Sequence, residues 1–106
     1  MENRELKVLL LNVLKYEDKE NKGVWKSRLG YICVTQDALQ ESEKFKGLAE
    51  LSYFTTGTDL FDKLSKNHMY QTATLIFEKV VNPRNPLRDS MKLVSIKLKD
   101  ETISLL

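Results

Sequence analysis

The sequence predicts a mostly β fold that carries one helix, and three observations lead there. Residues 5–35, ELKVLLLNVLKYEDKENKGVWKSRLGYICVT, hold strand-length runs on either side of a charged turn that ends in Gly23. The later runs YQTATLIFEKVV (70–81) and MKLVSIKLK (91–99) are rich in β-branched residues or alternate apolar with polar side chains. Between these halves, GTDLFDKLSKNH carries the clearest helix signal in the chain.

Length and composition set the frame. A chain of 106 residues is the size of one domain, here 1–106, with enough material for one core. A hydrophobic fraction of 42% with 30% charged residues excludes a disordered chain. Seventeen Lys and Arg against fifteen Asp and Glu is near balance, so any site for a polyanion must arise from local segregation of charge. The one cysteine rules out an internal disulfide and a multi-cysteine zinc site, as suits a reducing compartment. The opening MENRELKVLLLNVLKY lacks the cationic start and small-residue cleavage site of a secretory signal, and no stretch approaches the ~20 apolar residues of a membrane span. A cytoplasmic protein without a membrane anchor is expected.

In the first run both faces are apolar, so it is either a buried strand or, over 2–16, a short core helix. The strand is favoured because the polar turn Glu17–Gly23 and a β-branched, aromatic second run (Val24–Thr35) follow it directly. Gly30 lies inside that second run, where a glycine marks a bulge, a bend or a close approach. Residues 36–47, QDALQESEKFKG, read as a polar loop with a turn or two of helix, capped by Asp37. LAELSYFTT (48–56) alternates well enough for a third strand, placing Tyr53 and Phe54 on opposite faces. Thr58 then reads as the N-cap of a helix of about ten residues, with Asp59 and Asp62 in its first turn and Lys63, Lys66 and His68 toward its other end. Both prolines fall in NPRNPLRDS (82–90), an extended loop that holds Arg84 and Arg88. In the closing run Leu93, Ser95, Lys97 and Lys99 oppose Val94, Ile96 and Leu98, and Thr102–Leu106 reads as a last hairpin strand.

Three strands, a helix, two strands and a short terminal strand make the element order of an OB-fold-like barrel of five to six strands, which offers its second and third strands to ligands. The hairpin KVLLLNVLKYEDKENKGVWKSRLGYICV and the closing MKLVSIKLKDETISLL resemble the small single-stranded-DNA-binding proteins of phages and mobile elements, in particular the filamentous-phage class. The resemblance implies an OB-like barrel, DNA binding without catalysis, and a role in replication.

Side-chain chemistry points the same way. Cys33 and His68 are the only thiol and imidazole, and they fall on a strand and a helix end with nothing beside the thiol to activate it. No spacing of ligands suggests a metal, no glycine pattern suggests a phosphate loop, and neither a cofactor nor an enzyme is expected. Single-stranded DNA or RNA needs cations for phosphates and exposed rings for bases. Lys22, Trp25, Lys26, Arg28 and Tyr31 put both within ten residues, and Tyr53, Arg84 and Arg88 would extend them. Strict alternation sets Trp25 and Tyr31 against Lys26 and Arg28, so the expected site requires a bulge at Gly30 that turns Tyr31 to the cationic face. The rival reading is a small regulator that docks on a host protein, or pairs as a homodimer, through LLLNVL, ISLL and the acidic DALQESE.

Overall fold

A computed structural model describes residues 3–81 and 89–105. The first run is a strand, β1 (Asn3–Glu17), and it is followed by β2 (Trp25–Cys33), a short hairpin of β3 (Leu39–Glu41) and β4 (Lys46–Leu48), and then β5 (Leu51–Thr56). The helix α1 (Asp59–Lys63) separates these from β6 (Thr72–Val81), β7 (Asp89–Lys97) and β8 (Thr102–Ser104). The expected class holds: the chain is mostly strand with a single short helix. The six long and terminal strands form an antiparallel sheet in the order β5-β2-β1-β6-β7-β8, while β3 and β4 pair with each other.

That order agrees with the one expected for an OB-like barrel, but the barrel does not close: among the described residues no backbone ladder joins β5 and β7. A side chain bridges the gap instead. The Tyr53 hydroxyl accepts the backbone N–H of Leu93 at 3.0 Å. The same ring meets Phe77 edge-on, with centroids 5.8 Å apart. Inside lie Val8, Leu10, Leu29, Leu75, Phe77, Leu93 and Ile96; α1 adds Leu60 to this cluster, and Leu64, just past the helix, joins it. Ser27, fully buried, donates to the Gly57 carbonyl at 2.8 Å and so ties β2 to the start of the helix.

Four sequence expectations change. The helix covers five residues and not about ten: Leu64 is already extended, and Lys66–His68 forms a separate 3-10 turn. Ser65 restarts the chain there, because its side chain and that of His68 satisfy each other's backbone N–H groups. Thr58 does not cap the helix through its hydroxyl, which donates to the Asp62 carboxylate at 2.9 Å. Residues 39–47, expected as loop, belong with Leu48 to the β3–β4 hairpin, whose tip is closed by Ser42 N–H donating to the Phe45 carbonyl at 2.7 Å. In β7 strict alternation fails: the pairing with β6 shifts by one residue between Ile76 and Phe77, Val94 is the extra residue, and Leu93 and Ile96 both face the core. Of the expected proline loop, residues 82–88 lie outside the described residues, and Asp89 and Ser90 already belong to β7.

Because the seam depends on one hydroxyl, Tyr53→Phe leaves the Leu93 N–H without a partner while keeping the ring. The expected cost is about 1–2 kcal/mol in urea unfolding. An unchanged midpoint would mean that the tyrosine hydroxyl contributes nothing to closure.

Candidate functional site

A two-residue period puts alternate side chains of a strand on opposite faces. In β2, Ser27, Leu29 and Tyr31 turn inward, and Lys26, Arg28 and Gly30 lie on the outer face. The bulge expected at Gly30 sits across the ladder instead. Leu10 pairs with Tyr31 and Asn12 with Gly30, so Leu11 is an extra residue in β1. Before it, Leu6, Val8 and Leu10 face the core; after it, Val13 and Lys15 take the inner side while Asn12, Leu14 and Tyr16 come out. Tyr31 therefore stays inside, only 7% exposed, and burial, with the neighbouring Cys33 as the lesser cause, pushes its phenol above its ordinary value.

The register of β1, β2 and β5 assembles the outer face in rows. Tyr16, Lys26 and Thr56 form one row, Leu14, Arg28 and Phe54 the next, and Asn12, Gly30 and Ser52 the third. Phe54 is 59% exposed, the more open of the two rings in these rows, since Tyr16 is half-buried. Arg28 pairs with no described carboxylate, and its Nε has no protein partner. Gly30 is required by crowding: a Cβ there would stand 2.6 Å from Asn12 Oδ1 and 2.9 Å from Glu50 Oε1. The bare backbone lets the Asn12 amide pass over β2 and donate to Glu50 at 3.4 Å.

Lys26 differs from Arg28 in being paired, with Asp18 at 3.2 Å. Asp18 also accepts the Glu20 backbone N–H at 3.0 Å and the Asn21 amide at 3.4 Å, and so shapes the turn between β1 and β2. The Glu20 N–H, then Lys26, then Asn21 hold the Asp18 carboxyl below its ordinary value. Gly23, at φ +88°, completes the turn in a conformation that favours glycine.

Of the expected site residues, the structure brings Lys26 and Arg28 together on one face, with Lys22 exposed in the adjoining turn. Trp25 is elsewhere: 44% exposed at the strand end, it has Lys15 Nζ 5.8 Å from its ring centroid, and the same ammonium stands 5.2 Å from the Phe61 ring. Tyr31 is core, and Tyr53 closes the seam, so neither ring is open to a planar ligand. Arg84 and Arg88 lie outside the described residues. Sequence reasoning missed Tyr16 and Phe54. Alternation already separated Phe54 from Tyr53, but only the register shows that Phe54 sits opposite Arg28.

His68 is committed to structure: Nδ1 accepts the Ser65 backbone N–H at 3.0 Å, and Nε2 meets the Glu101 carboxylate. Among the described residues, no group of three or more His, Cys, Asp and Glu is placed to hold a metal ion. No helix among them is long and apolar enough to cross a membrane.

The Asp18 geometry carries a pH dependence with a definite sign. A carboxyl held low in the folded state contributes above the ordinary value of 3.8 and loses that contribution as pH falls through its folded value. Acid should therefore loosen the 18–24 turn and release Lys26, with the Glu20 amide resonance moving at a midpoint below 3.8. A midpoint at or above that value would contradict the carboxylate's place in the turn.

No protein-family model matches this chain, and no curated protein or solved structure shows detectable similarity to it.

Proposed function

We propose that this protein binds single-stranded nucleic acid, DNA in the first place, on the outer face of β1, β2 and β5, without catalysis, in the cytoplasmic replication of a phage or mobile element. The observation that carries this reading is the Leu14–Arg28–Phe54 row, in which an unpaired guanidinium lies beside an exposed ring on an open sheet. Arg28 supplies a phosphate contact, or a planar cation for a base. Phe54 and Tyr16 supply faces for stacking, and Lys26 and Lys22 extend the positive charge toward the turn. OB-type domains offer this same face, on their second and third strands, to oligonucleotides, and that likeness is one of fold alone.

Phe54→Ala and Arg28→Ala should each weaken binding of labelled oligo-dT, the ring substitution by about 1–3 kcal/mol in anisotropy titrations. Affinity of the unaltered protein should fall steeply as salt rises. Tyr31→Phe, which changes only a buried side chain, should leave affinity as it is. Absence of binding at low salt, or equal affinity of all three variants, would overturn the proposal.

A docking surface for a host protein has one observation of its own. On and beside the β3–β4 hairpin, Leu39 (56% exposed) and Phe45 (41% exposed) stand among Asp37, Glu41 and Glu43. The other apolar stretches named for that role are used by the fold: Leu10 is fully buried, Val13 packs against the core, and Ile103 and Leu105 do so from the other end of the chain.

A further inference from the structure

The outer face carries a second cationic feature, some distance from the Arg28–Phe54 row. Lys7 of β1, Thr74 of β6 and Lys97 of β7 pair in one cross-strand row. Together with Thr72, Val34 and Lys99 they line a cleft of about 450 Å³. No carboxylate and no aromatic ring is part of that lining. Lys7, Lys97 and Lys99 are exposed, and among the described residues none of their ammonium groups has an ion-pair or hydrogen-bond partner. Of the carboxylates in the β7–β8 turn beside them, Glu101 is taken up by His68. Like charges left together in this way stand at an electrostatic cost that an anion relieves.

Between the two features lies an unusual tyrosine. Tyr70 is 83% exposed and has φ +62°, the only positive φ of a non-glycine residue among the described residues. Bulky side chains rarely adopt that conformation, and such strain persists where the surroundings impose it. Here the bulge in β1 imposes it: Tyr70 N–H donates to the Leu10 carbonyl at 2.7 Å, and Leu10 N–H donates to the Gln71 carbonyl at 3.0 Å. Tyr70 is thereby pinned level with Leu10, midway along β1 between Lys7 and Leu14.

We infer that the Lys7–Lys97–Lys99 cleft is a phosphate-backbone anchor for the same single strand, which runs from the Arg28–Phe54 row past Tyr70 and into the cleft. This rests on the proposed function and extends it to a second contact. The chemistry divides accordingly. A cleft with ammonium and hydroxyl donors and no ring holds phosphates and not bases, whereas Phe54 and Tyr70 offer rings. Lys7 and Leu14 are separated by about 23 Å at ~3.3 Å per strand residue, so a short oligonucleotide covers one contact and a longer one covers both.

The test compares dT5 with dT15, lengths near the two ends of the ~4–16 nucleotide range of such domains. Replacing the cleft lysines together (Lys7→Gln, Lys97→Gln, Lys99→Gln) alters only exposed side chains. It should weaken dT15 more than about tenfold at low salt and reduce the salt slope by about 2, from ~0.7 per phosphate contact on single strands. Binding of dT5 at the Arg28–Phe54 row should not change. Tyr70→Asn keeps a residue that tolerates positive φ and removes the ring; it should cost dT15 about fivefold or more, from the ~1–3 kcal/mol of one stacked base, with no loss of thermal stability. If the triple variant binds dT15 with unaltered affinity and salt slope while the unsubstituted protein binds both lengths, the anchor is wrong and the proposed function stands. If the unsubstituted protein binds neither length, both fall. Binding of a poly-glutamate peptide that is abolished in the triple variant, with dT15 binding intact, overturns the anchor in favour of an acidic protein partner.

Discussion

One extra residue in one strand governs the arrangement of this molecule. β1 is fifteen residues long and pairs with β2 on one side and β6 on the other. A strand of that length under strict alternation would keep one face inward throughout. Leu11 breaks the alternation, so Leu6, Val8 and Leu10 fill the core from the first half, and Leu14 and Tyr16 reach the outer surface from the second. The apolar character of both faces in VLLLNVL follows from this switch. So does the composition of the Leu14–Arg28–Phe54 row, and so does the positive φ of Tyr70, whose backbone completes the hydrogen bonding around Leu10.

The remaining interactions hold a sheet that does not close by backbone pairing. Tyr53 reaches Leu93 across the seam, Ser27 binds the Gly57 carbonyl beneath the helix, and the Lys63 ammonium donates to the Ser104 carbonyl at 2.9 Å. Each joins parts of the chain that the ladders leave apart. Five helical residues suffice because α1 has only Leu60 to bring to the core, and the extended Leu64 that follows it packs there as well.

Charge is sorted on the outer face in a way that the net value of +2 conceals. Lys26 is answered by Asp18 and belongs to the turn as much as to the surface. Arg28, Lys7, Lys97 and Lys99 have no such answer among the described residues. These cations lie on β1, β2 and β7 and in the turn after β7, whereas the acidic residues Asp37, Glu41 and Glu43 lie together on and beside the small β3–β4 hairpin.

Strand and turn chemistry was legible in the residues themselves. β-branched and aromatic runs, the Gly-ended turn and the Leu60–Leu64 spacing are local signals, and they were enough to determine a mostly β fold with one helix between two groups of strands. The helix was overread because Ser65 can cap a new turn as readily as it continues an old one, and that choice depends on His68 folding back onto it. The site was half legible: cations declare themselves, but whether a ring beside them is buried depends on which strand carries the bulge. Gly30 suggested β2, while crowding by Asn12 and Glu50 accounts for the glycine and the extra residue went to β1. Fold class was thus determined by the sequence alone, since it follows from short-range periodicity. Which aromatic side chains face outward was decided only in three dimensions, because one inserted residue reverses every side chain beyond it and its position is set by pairing between strands.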